Sequence, residues 1–433
     1  MEYLVIINLI SKECCELVDI KIEMFPALEG DSILISLGNE PNRIHILLDG
    51  GFGETYENHL KKRLKEIANI NEKLSLVIVT HIDSDHIEGI LDLFKENGLA
   101  ENPQIITIDE VWHNSYRHLQ LDQQDELTGL HWKERFILSD IITKANTKAN
   151  TDSNEDKDIS AEQGSSLAAL LYNGNYKWNS QFDGKAVSSN NKKYIKLSSD
   201  ISIHLLSPNN EKLDKLKGYW VNELRKAKYD FKLTDDKLFD DAYEFYLMNK
   251  TQQCEGDEDK EISSQDKGND LIHFLDKKQS YDTSPANGSS ISFVLKYKGR
   301  KMLFLGDSHP QLIRTELQSL FKNNDSSLFF DLIKVSHHGS HRNNSKALLE
   351  IMDSSIYLIS TNGGKNKHPN KETIARIVCR ESEEERNLVF NYFQANQPWD
   401  EQSNKQKYNF NVFYPHNGNS VTISYSDLGI KVE

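Results

Sequence analysis

Apolar runs that end in polar turns predict alternating strands and helices in the first quarter of the chain. Residues 74–80 are apolar and β-branched, as in a buried strand, and the apolar spacing over 87–97 predicts an amphipathic helix after it. A charged amphipathic helix is predicted over 54–70, following a strand that ends at Asp49. These patterns give the order strand, helix, strand, polar turn, helix.

Similar patterns return in the second half of the chain. Residues 291–297 and 302–305 have strand character and flank a hairpin turn. Alternating apolar and polar residues over 201–208 predict another strand, and residues 209–246 have a mostly helical pattern. Short strands around a Pro and a Gly are predicted over 408–432.

Two stretches offer hardly any residues to bury. Residues 144–166 are rich in Asn, Asp, Ser, Lys and Thr, and residues 251–270 are acidic. Because such sequences bury too little apolar surface to fold, both stretches are predicted to be mobile loops.

Composition and charge limit the classes of function. The 433 residues exceed what one ordinary core requires, and 51 Lys and Arg against 66 Asp and Glu give a net charge of −15. This balance argues against a surface that binds nucleic acid everywhere, although it permits a local basic rim. The four cysteines lack metal-ligand spacing, which predicts reduced thiols and a cytoplasmic protein. Residues 1–10 lack a basic leader, so a strand is predicted there, and no segment approaches the length of a membrane span.

The densest chemistry lies in the polar turn at residues 80–89, Thr-His-Ile-Asp-Ser-Asp-His-Ile-Glu-Gly. Four side chains that can bind a metal occupy six consecutive positions here: His81, Asp83, Asp85 and His86. The turn follows a predicted buried strand, and sheet proteins bind ligands at such strand ends. Imidazole and carboxylate donors together suit Zn, Mn or Fe better than Ca or a thiolate site. A polar turn with chance histidines is the weaker interpretation.

This turn resembles the His-x-His-x-Asp-His signature of the metallo-β-lactamase superfamily, with Asp83 in place of the second His. The chain is most similar to the ComEC-type competence metallo-hydrolases, because further motifs of that branch follow in order. They are Leu28-Glu-Gly-Asp-Ser-Ile-Leu34, Leu47-Leu-Asp-Gly-Gly51, the segment from Asn287 to Asp307, Asp331-Leu-Ile-Lys-Val-Ser-His-His-Gly-Ser340, Ile359-Ser-Thr-Asn362 and Asn366-Lys-His-Pro369. The resemblance covers residues 24–110 and 285–378.

The resemblance implies an α+β fold, an αββα sandwich of the metallo-β-lactamase type in a single domain. Its core would comprise residues 1–113 and 285–433, with a probable insertion over 114–284. The strand over 201–208 is a candidate for the core itself.

The resemblance also implies two divalent ions, Zn or Mn, with Fe a third choice. In the family, the first two residues of the signature bind one ion and its Asp and last His bind the other. A Gly-Asp carboxylate, here Asp307 at the end of a predicted strand, bridges the two ions. The implied metal ligands are His81, Asp83, Asp85, His86, His113, Asp307, His337 and His338. Ligation by His113 stays open, because a lone His after a strand is as often an ordinary hydrogen-bonded residue. The Asp at position 83 favours Mn or Fe over Zn.

Cationic residues occur on the same loops as these ligands. Lys334, His341 and Arg342 surround the His-His pair, and a Gly-rich loop over 362–368 holds two further lysines. Positive donors beside a two-metal centre favour phosphate over a neutral amide, whereas each one alone is as easily a solvated surface residue. The expected substrate-binding residues are Ser340, His341, Arg342, Asn362, Lys365 and Lys367. The expected catalytic residues are Asp85 and His368, the latter as a donor to a phosphate oxygen or to the leaving group.

The resemblance and the cationic rim together indicate a phosphodiesterase, most readily a nuclease that uses a metal-activated hydroxide on DNA or RNA. A hydrolase of small anionic substrates, such as cyclic nucleotides, fits the net charge better than a polymer does. A protein of another class, a docking module in a multi-protein bacterial anti-phage defence system, is suggested by the insertion, which would supply the partner surface.

Overall fold

The computed structural model describes residues 18–41, 43–119, 166–226, 240–244, 246–248, 270–275, 278–321, 328–364, 366–416, 418–426 and 429–433. Helices and strands alternate along these ranges, so the protein belongs to the mixed α and β class. The predicted strand at 1–10, Lys365, three of the cysteines and nearly all of the two predicted mobile loops lie outside the described residues. Among the helices that the structure describes, none has both the length and the apolar character needed to cross a membrane.

The described residues form seventeen strands. They are β1 (Val18–Met24), β2 (Ile33–Leu37), β3 (Ile44–Leu48), β4 (Leu74–Ile78), β5 (Val111–Trp112), β6 (Tyr194–Lys196), β7 (Ile201–Ser207), β8 (Ser292–Tyr297), β9 (Arg300–Phe304), β10 (Leu328–Phe330), β11 (Leu332–Lys334), β12 (Met352–Ser354), β13 (Ile356–Ile359), β14 (Arg386–Phe390), β15 (Phe410–Phe413), β16 (Val421–Ser426) and β17 (Gly429–Val432).

Two large sheets account for most of these strands. The first has the order β17-β16-β1-β2-β3-β4-β5, and β3, β4 and β5 run parallel. The second has the order β15-β14-β13-β11-β9-β8-β7-β6, and its strands from β9 to β15 run parallel. In each sheet, therefore, the carboxyl ends of several strands share one edge, where ligand sites are usual.

Helices connect the strands and cover the sheets. The α-helices are α1 (Gly53–Thr55), α2 (Lys61–Asn69), α3 (Ser84–Asn97), α4 (Leu167–Asn173), α5 (Asn210–Lys226), α6 (Pro285–Gly288), α7 (Pro310–Leu320), α8 (Lys346–Leu349), α9 (Lys371–Val378) and α10 (Gln402–Tyr408). A π-helical segment, Tyr56–Leu60, joins α1 to α2, so that the helix predicted over 54–70 is present. The helix predicted over 87–97 begins three residues earlier, at Ser84, so Asp83 lies at its N-cap and Asp85 and His86 lie in its first turn.

Buried side chains form three cores. One lies between the first sheet and helices that include α2 and α3, another contains residues of both sheets, and the third lies between the second sheet and helices that include α7 and α9. Alternate residues of one strand serve different cores: Val77 of β4 lies in the first core, and Leu76 and Ile78 lie in the second. A strand that is buried on both faces needs apolar residues that point both ways, which explains why Leu76, Val77 and Ile78 of β4 are all apolar.

The described part of segment 114–284 contributes to these same cores. β7, predicted over 201–208, pairs with β8 inside the second sheet, which confirms its place in the core. Leu171 of α4 and Trp220 of α5 are fully buried in the first core. The described residues of this segment therefore pack as integral parts of the fold.

Candidate metal centre

The candidate ligands lie at the carboxyl ends of strands in both large sheets. His81 follows β4 in the first sheet, Asp307 follows β9 in the second, and the pair His337 and His338 follows β11. In the second sheet β9 and β11 are parallel neighbours, so their ends meet at one edge. The centre is thus built between the two sheets by residues that are far apart in the sequence.

Two glycines fix the first turn of α3 against the loop after β3. The Gly50 backbone N–H donates to the His86 carbonyl at 2.8 Å, and the Gly89 N–H donates to the Gly51 carbonyl at 2.8 Å. A Cβ atom on Gly89 would lie 2.1 Å from the Gly50 carbonyl oxygen, so no side chain fits there. This close approach brings His86 to the end of β3, beside Asp49.

One oxygen of Asp307 lies at the convergence of four imidazoles. Its Oδ2 atom is 3.8 Å from Nε2 of His81 and 3.6 Å from Nε2 of His86. It is 3.7 Å from Nε2 of both His337 and His338. All four rings direct the same nitrogen at one carboxylate oxygen, at distances too long for hydrogen bonds. A carboxylate that bridges two ions would have such surroundings.

The remaining carboxylates divide the cluster into two sides. Asp83 lies on the His81 side, with 3.4 Å between its Oδ2 and His81 Nε2. Asp85 lies on the other side, where its Oδ2 is 3.5 Å from His86 Nε2 and 3.3 Å from His338 Nε2. The triads His81, His86 and Asp307 and Asp85, His86 and His338 each bring one donor atom per residue within 4.8 Å of one another. His86 belongs to both triads, whereas the resemblance implied that it binds only the ion that Asp85 binds.

Several of these donors are buried and have no hydrogen-bond partner. They are Nε2 of His81, His86 and His338, Oδ1 of Asp83 and Oδ1 of Asp307. Buried polar atoms are nearly always paired in folded proteins, so such a set at one point marks a place where a ligand belongs. The donor types, imidazole and carboxylate, fit a divalent ion of the Zn, Mn or Fe kind.

The electrostatics of the cluster favour positive charge. Burial alone would lower the pKa of His338, but the carboxylates, Asp307 first, raise that pKa to about 9. Burial likewise opposes protonation of His86, and Asp85 and Asp307 outweigh it to raise the pKa of His86 well above its usual value. Without a metal ion the carboxylates favour the protonated form of these two imidazoles, and a bound cation would take over that role.

Residues behind the ligands fix the orientation of the imidazoles. Asp49 accepts hydrogen bonds from the Thr80 N–H and hydroxyl at 2.7 Å, and its Oδ2 lies 2.8 Å from His86 Nδ1. His86 Nδ1 is therefore a donor to Asp49, which leaves Nε2 as the free acceptor that a metal ligand requires.

A buried ion pair lies behind His338. Asp31 Oδ2 accepts from Lys334 Nζ at 2.6 Å, and the other oxygen of Asp31 is 3.5 Å from His338 Nδ1. His338 Nδ1 also lies 3.0 Å from the Ser360 carbonyl oxygen. Lys334 is fully buried, so its expected place on a cationic rim is wrong, because its charge is used to neutralise Asp31.

The other histidine of the pair, His337, is oriented by a side-chain amide. His337 Nδ1 lies 3.0 Å from Asn343 Oδ1, and Asn343 Nδ2 donates to Asp282 at 2.9 Å and to the Asp307 carbonyl at 3.0 Å. His337 and His338 both have positive φ, 46° and 52°, which is costly for residues with a Cβ. Strain at two adjacent residues is typical of a functional site, where it turns both rings toward one point.

The expected substrate-binding residues in the turn after His338 differ in burial and in their hydrogen bonds. His341 is buried, with its backbone N–H bonded to Asn370 Oδ1 at 2.8 Å and its Nε2 3.1 Å from Ser280 Oγ, so it supports the loop. Ser340 is buried in the same turn, where its hydroxyl accepts from the Arg342 N–H. Arg342 is half-buried, and its Nε has no hydrogen-bond partner. Ser340 and His341 therefore support the turn, and Arg342 is the half-buried residue beside them.

The second loop is held against the first through Gly339. A Cβ on Gly339 would lie 2.4 Å from Pro369, and the Asn370 N–H donates to the Gly339 carbonyl. Asn362 caps its own loop, with Oδ1 accepting from the Gly364 N–H at 2.7 Å. Lys367 is exposed, and Lys365 lies outside the described residues.

His368 and His113 differ in their relation to the centre. The ring of His368 lies 5.5 Å from that of His337, and its Nδ1 is buried without a partner. Burial, and then the neighbouring histidines, lower the pKa of His368 well below its usual value. His113 instead has Nε2 2.8 Å from Glu244 Oε1, and it is absent from the potential metal groups among the described residues. The structure does not bring His113 into the convergence on Asp307.

The residues that support the centre were not assigned a role from the sequence. Asp31 and Asp49 lie in the two glycine motifs of the resemblance, and that is the signal by which they could have been found. Asp282 and Asn343 have no such signal, because each is one polar residue among many in loops.

No protein-family model matches the chain, and a search of curated proteins found no significant relative. The geometry defines a candidate metal centre, and the assignment of a function depends on that geometry and on the motifs.

Proposed function

We propose that this protein is a metal-dependent hydrolase of the metallo-β-lactamase type and acts on phosphodiesters, with DNA or RNA as the substrate class. The observation that carries the proposal is the convergence of four imidazole Nε2 atoms on Asp307 Oδ2 at 3.6–3.8 Å, with Asp83 and Asp85 on its two sides. Three of the four imidazole nitrogens, those of His81, His86 and His338, are buried without a hydrogen-bond partner, and such a set suits divalent ions better than any internal use.

The fold supports the same assignment. Its three cores give the order helices, sheet, sheet, helices, which is the layer order of an αββα sandwich. The centre lies where strands of both sheets end, as the resemblance to ComEC-type metallo-hydrolases implies.

Two divalent ions, when bound, would supply a water of lowered pKa as the nucleophile and would neutralise the oxygens of the attacked group. The residues of the chain prepare that reaction. Asp49 sets the tautomer of His86, and the pair of Lys334 and Asp31 stands behind His338. His368, whose neutral form is favoured by burial and by the neighbouring histidines, has its ring 5.5 Å from that of His337, near enough to the candidate ligands to serve as a hydrogen-bond donor to a substrate oxygen.

The preference for phosphate depends on two cations. Arg342 follows the His-His pair and is half-buried, and Lys367 is exposed immediately before His368. A guanidinium binds two phosphate oxygens through paired charge-assisted hydrogen bonds, whereas a neutral amide has no negative charge and forms weaker hydrogen bonds with it.

A small anionic substrate, such as a cyclic nucleotide, is the second candidate. The net charge of −15 favours it, since a polymer would approach an acidic surface. Salt separates the two: affinity for a polymer that contacts several phosphates falls steeply as salt rises, and affinity for a mononucleotide falls much less.

A docking role for segment 114–284 remains a further proposal, and the structure limits how it is tested. Deleting the whole segment would remove β7 from the second sheet and Trp220 from the first core. Removing only residues 145–160 leaves every described residue in place. Loss of a co-purifying partner in that variant, with hydrolysis intact, would support docking.

The first prediction tests the centre directly. Asp307→Asn removes one negative charge from the point shared by both ligand sets, so metal content should fall below two ions per chain. Hydrolysis of bis(p-nitrophenyl) phosphate should fall at least roughly 100-fold, the size usual for losing a group aimed at the reacting centre. Metal analysis by mass spectrometry and a steady-state assay with Mn, Zn or Fe measure both.

Asp109→Asn is the matched control, because Asp109 pairs with Lys73 on the surface. It should leave metal content and turnover unchanged. Two bound ions and normal turnover in Asp307→Asn would refute the assignment of the centre.

A further inference from the structure

Phe393 is the most exposed of the large hydrophobic residues that the structure describes, with 68% of its surface accessible. It lies in the loop after β14, and one edge of its ring contacts the ring of Tyr414 at a centroid distance of 5.1 Å. Tyr414 in turn packs on the buried ring of Phe390 at 5.4 Å. The aromatic contacts thus run from the third core to the surface and end in an open ring.

The loop that carries Phe393 is fixed on both sides of it. Asn391 is fully buried, and its Nδ2 donates to Ser360 Oγ at 2.9 Å. The Tyr392 hydroxyl accepts from the Leu28 N–H at 2.9 Å, and Gln394 Nε2 donates to the Thr361 carbonyl at 3.1 Å. Burial of an aromatic ring stabilises the folded state, and most of the Phe393 ring is left in solvent. Its fixed, exposed position therefore contributes little to stability.

This loop belongs to the rim of the metal centre. Ser360, which accepts from Asn391 through its hydroxyl, also has its carbonyl oxygen 3.0 Å from His338 Nδ1. Gln394 lies against Gly363, in the loop that continues to the exposed Lys367 and to His368. An open aromatic ring and a cation therefore occupy adjacent loops beside the candidate ligands.

We propose that Phe393 is a stacking platform for an unpaired nucleobase, and that the substrate class of this centre is single-stranded nucleic acid. This inference rests on the proposed function, which supplies a phosphodiester at the centre. Every base has an apolar face that can stack on an aromatic ring, whereas paired bases in a duplex have both faces covered. One base would lie on Phe393 while the backbone phosphate passes Lys367 toward the centre.

The experiment measures binding separately from cleavage. A fluorescein-labelled phosphorothioate oligothymidylate of twelve residues, chosen because it resists hydrolysis, is titrated with the metal-loaded protein and followed by anisotropy. Phe393→Ala should weaken binding roughly 5- to 100-fold, the range found for losing one base–aromatic contact. Phe393→Trp should bind at least as well as the wild type, and Phe393→Leu should resemble Phe393→Ala if stacking rather than apolar contact is needed.

Phe329→Ala is the matched control. Phe329 is also an exposed Phe, at 41%, but it lies in β10, before β11 and so at the opposite end from the centre. It should not change binding. A twelve-base-pair duplex should bind more weakly than the single strand, and thymidine monophosphate should compete poorly, which separates a strand from a free nucleotide.

The outcomes distinguish the two proposals. Equal binding by wild type and Phe393→Ala, or no binding of the single strand by the wild type, would overturn the inference even if bis(p-nitrophenyl) phosphate is hydrolysed. Metal-independent or absent hydrolysis, together with a binding loss confined to the Phe393 variants, would instead leave the stacking site standing and refute the proposed chemistry.

Discussion

At the scale of single residues, charged groups behind the centre decide how its imidazoles are presented. Lys334 is the clearest case, because a fully buried ammonium is costly unless it is paired, and its partner is Asp31 at 2.6 Å. The pair also supports His338, since the second oxygen of Asp31 lies 3.5 Å from His338 Nδ1.

Lys334→Met should therefore destabilise the protein by about 3–5 kcal/mol, the usual cost of leaving one buried charge without its partner. Urea denaturation measures this. The double variant Lys334→Met with Asp31→Asn should recover much of the loss, because no charge is then left unpaired. A normal free energy of unfolding with a raised KM would mean instead that Lys334 contacts substrate.

His309 gives a prediction for pH. Its Nδ1 accepts a hydrogen bond from Lys212 Nζ at 2.7 Å. Burial lowers the pKa of His309 to about 4, because the opposing effect of the Asp282 carboxylate is smaller and the Lys212 charge also lowers the pKa. The unfolded chain binds a proton at this residue below pH 6.5, whereas the folded protein does not. The stability contributed by neutral His309 is thus complete above pH 6.5 and is lost as the pH falls toward 4.

His309→Gln should remove this part of the pH dependence, on the order of 2–3 kcal/mol between pH 7 and pH 4. Denaturation of wild type and variant at both pH values gives the difference. His273→Gln, which alters an exposed imidazole, should leave the difference between the two pH values as in the wild type.

Among the helices and strands, the contact between α3 and the loop after β3 decides how a substitution at Gly89 changes stability. Helix propensity and steric overlap act in opposite directions there. Helix propensity alone predicts that Gly89→Ala stabilises α3 by about 1 kcal/mol. The added methyl group would lie 2.1 Å from the Gly50 carbonyl oxygen, so α3 must move and overpacking of about 1–3 kcal/mol outweighs the gain.

Gly89→Ala should thus lower both stability and metal content, because the same movement separates His86 from Asp49. Gly218→Ala is the matched control. Gly218 lies in α5 with nothing within 4 Å of an added Cβ, so that substitution should stabilise by about 0.5–1 kcal/mol. Denaturation curves and metal analysis of both variants measure these effects. A Gly89→Ala variant that is more stable than the wild type and has normal metal content would contradict the close contact.

The elements also show what the sequence could predict. Periodicity predicted β4, α3 and the strands around the hairpin, because each repeats a local pattern of apolar residues. The roles of Lys334 and His113 depended on partners elsewhere in the chain, Asp31 and Glu244, and no local pattern reveals a pairing across such a separation. The candidate ligands of the 81–86 motif could be proposed from the sequence, whereas the residues that lie behind them could not.

At the scale of the whole molecule, the candidate ligands join two sheets. Residues 81–86 follow β4 of the first sheet, and Asp307 and His338 follow β9 and β11 of the second sheet. Bound ions would connect the sheets across the middle core and stabilise the native state by mass action.

Chelation should accordingly lower the free energy of unfolding by about 2.7 kcal/mol relative to protein held at one hundred times the metal Kd. Thermal denaturation with and without EDTA, followed by addition of metal, measures the change. Asp307→Asn should respond far less to either treatment. An equal response in that variant would place the stabilising ion elsewhere.

The division of the ligands between the two sheets also has a consequence for synthesis in the cell. β16 pairs with β1 in the first sheet, so that sheet cannot form fully until residues 421–426 have been made. A partly made chain that has already exposed His81 to His86 lacks Asp307 and His338 and cannot assemble the centre. On the proposed function, hydrolytic activity would begin only once the segment from Asp307 to His338 has been made, and a product truncated before Asp307 would be inactive.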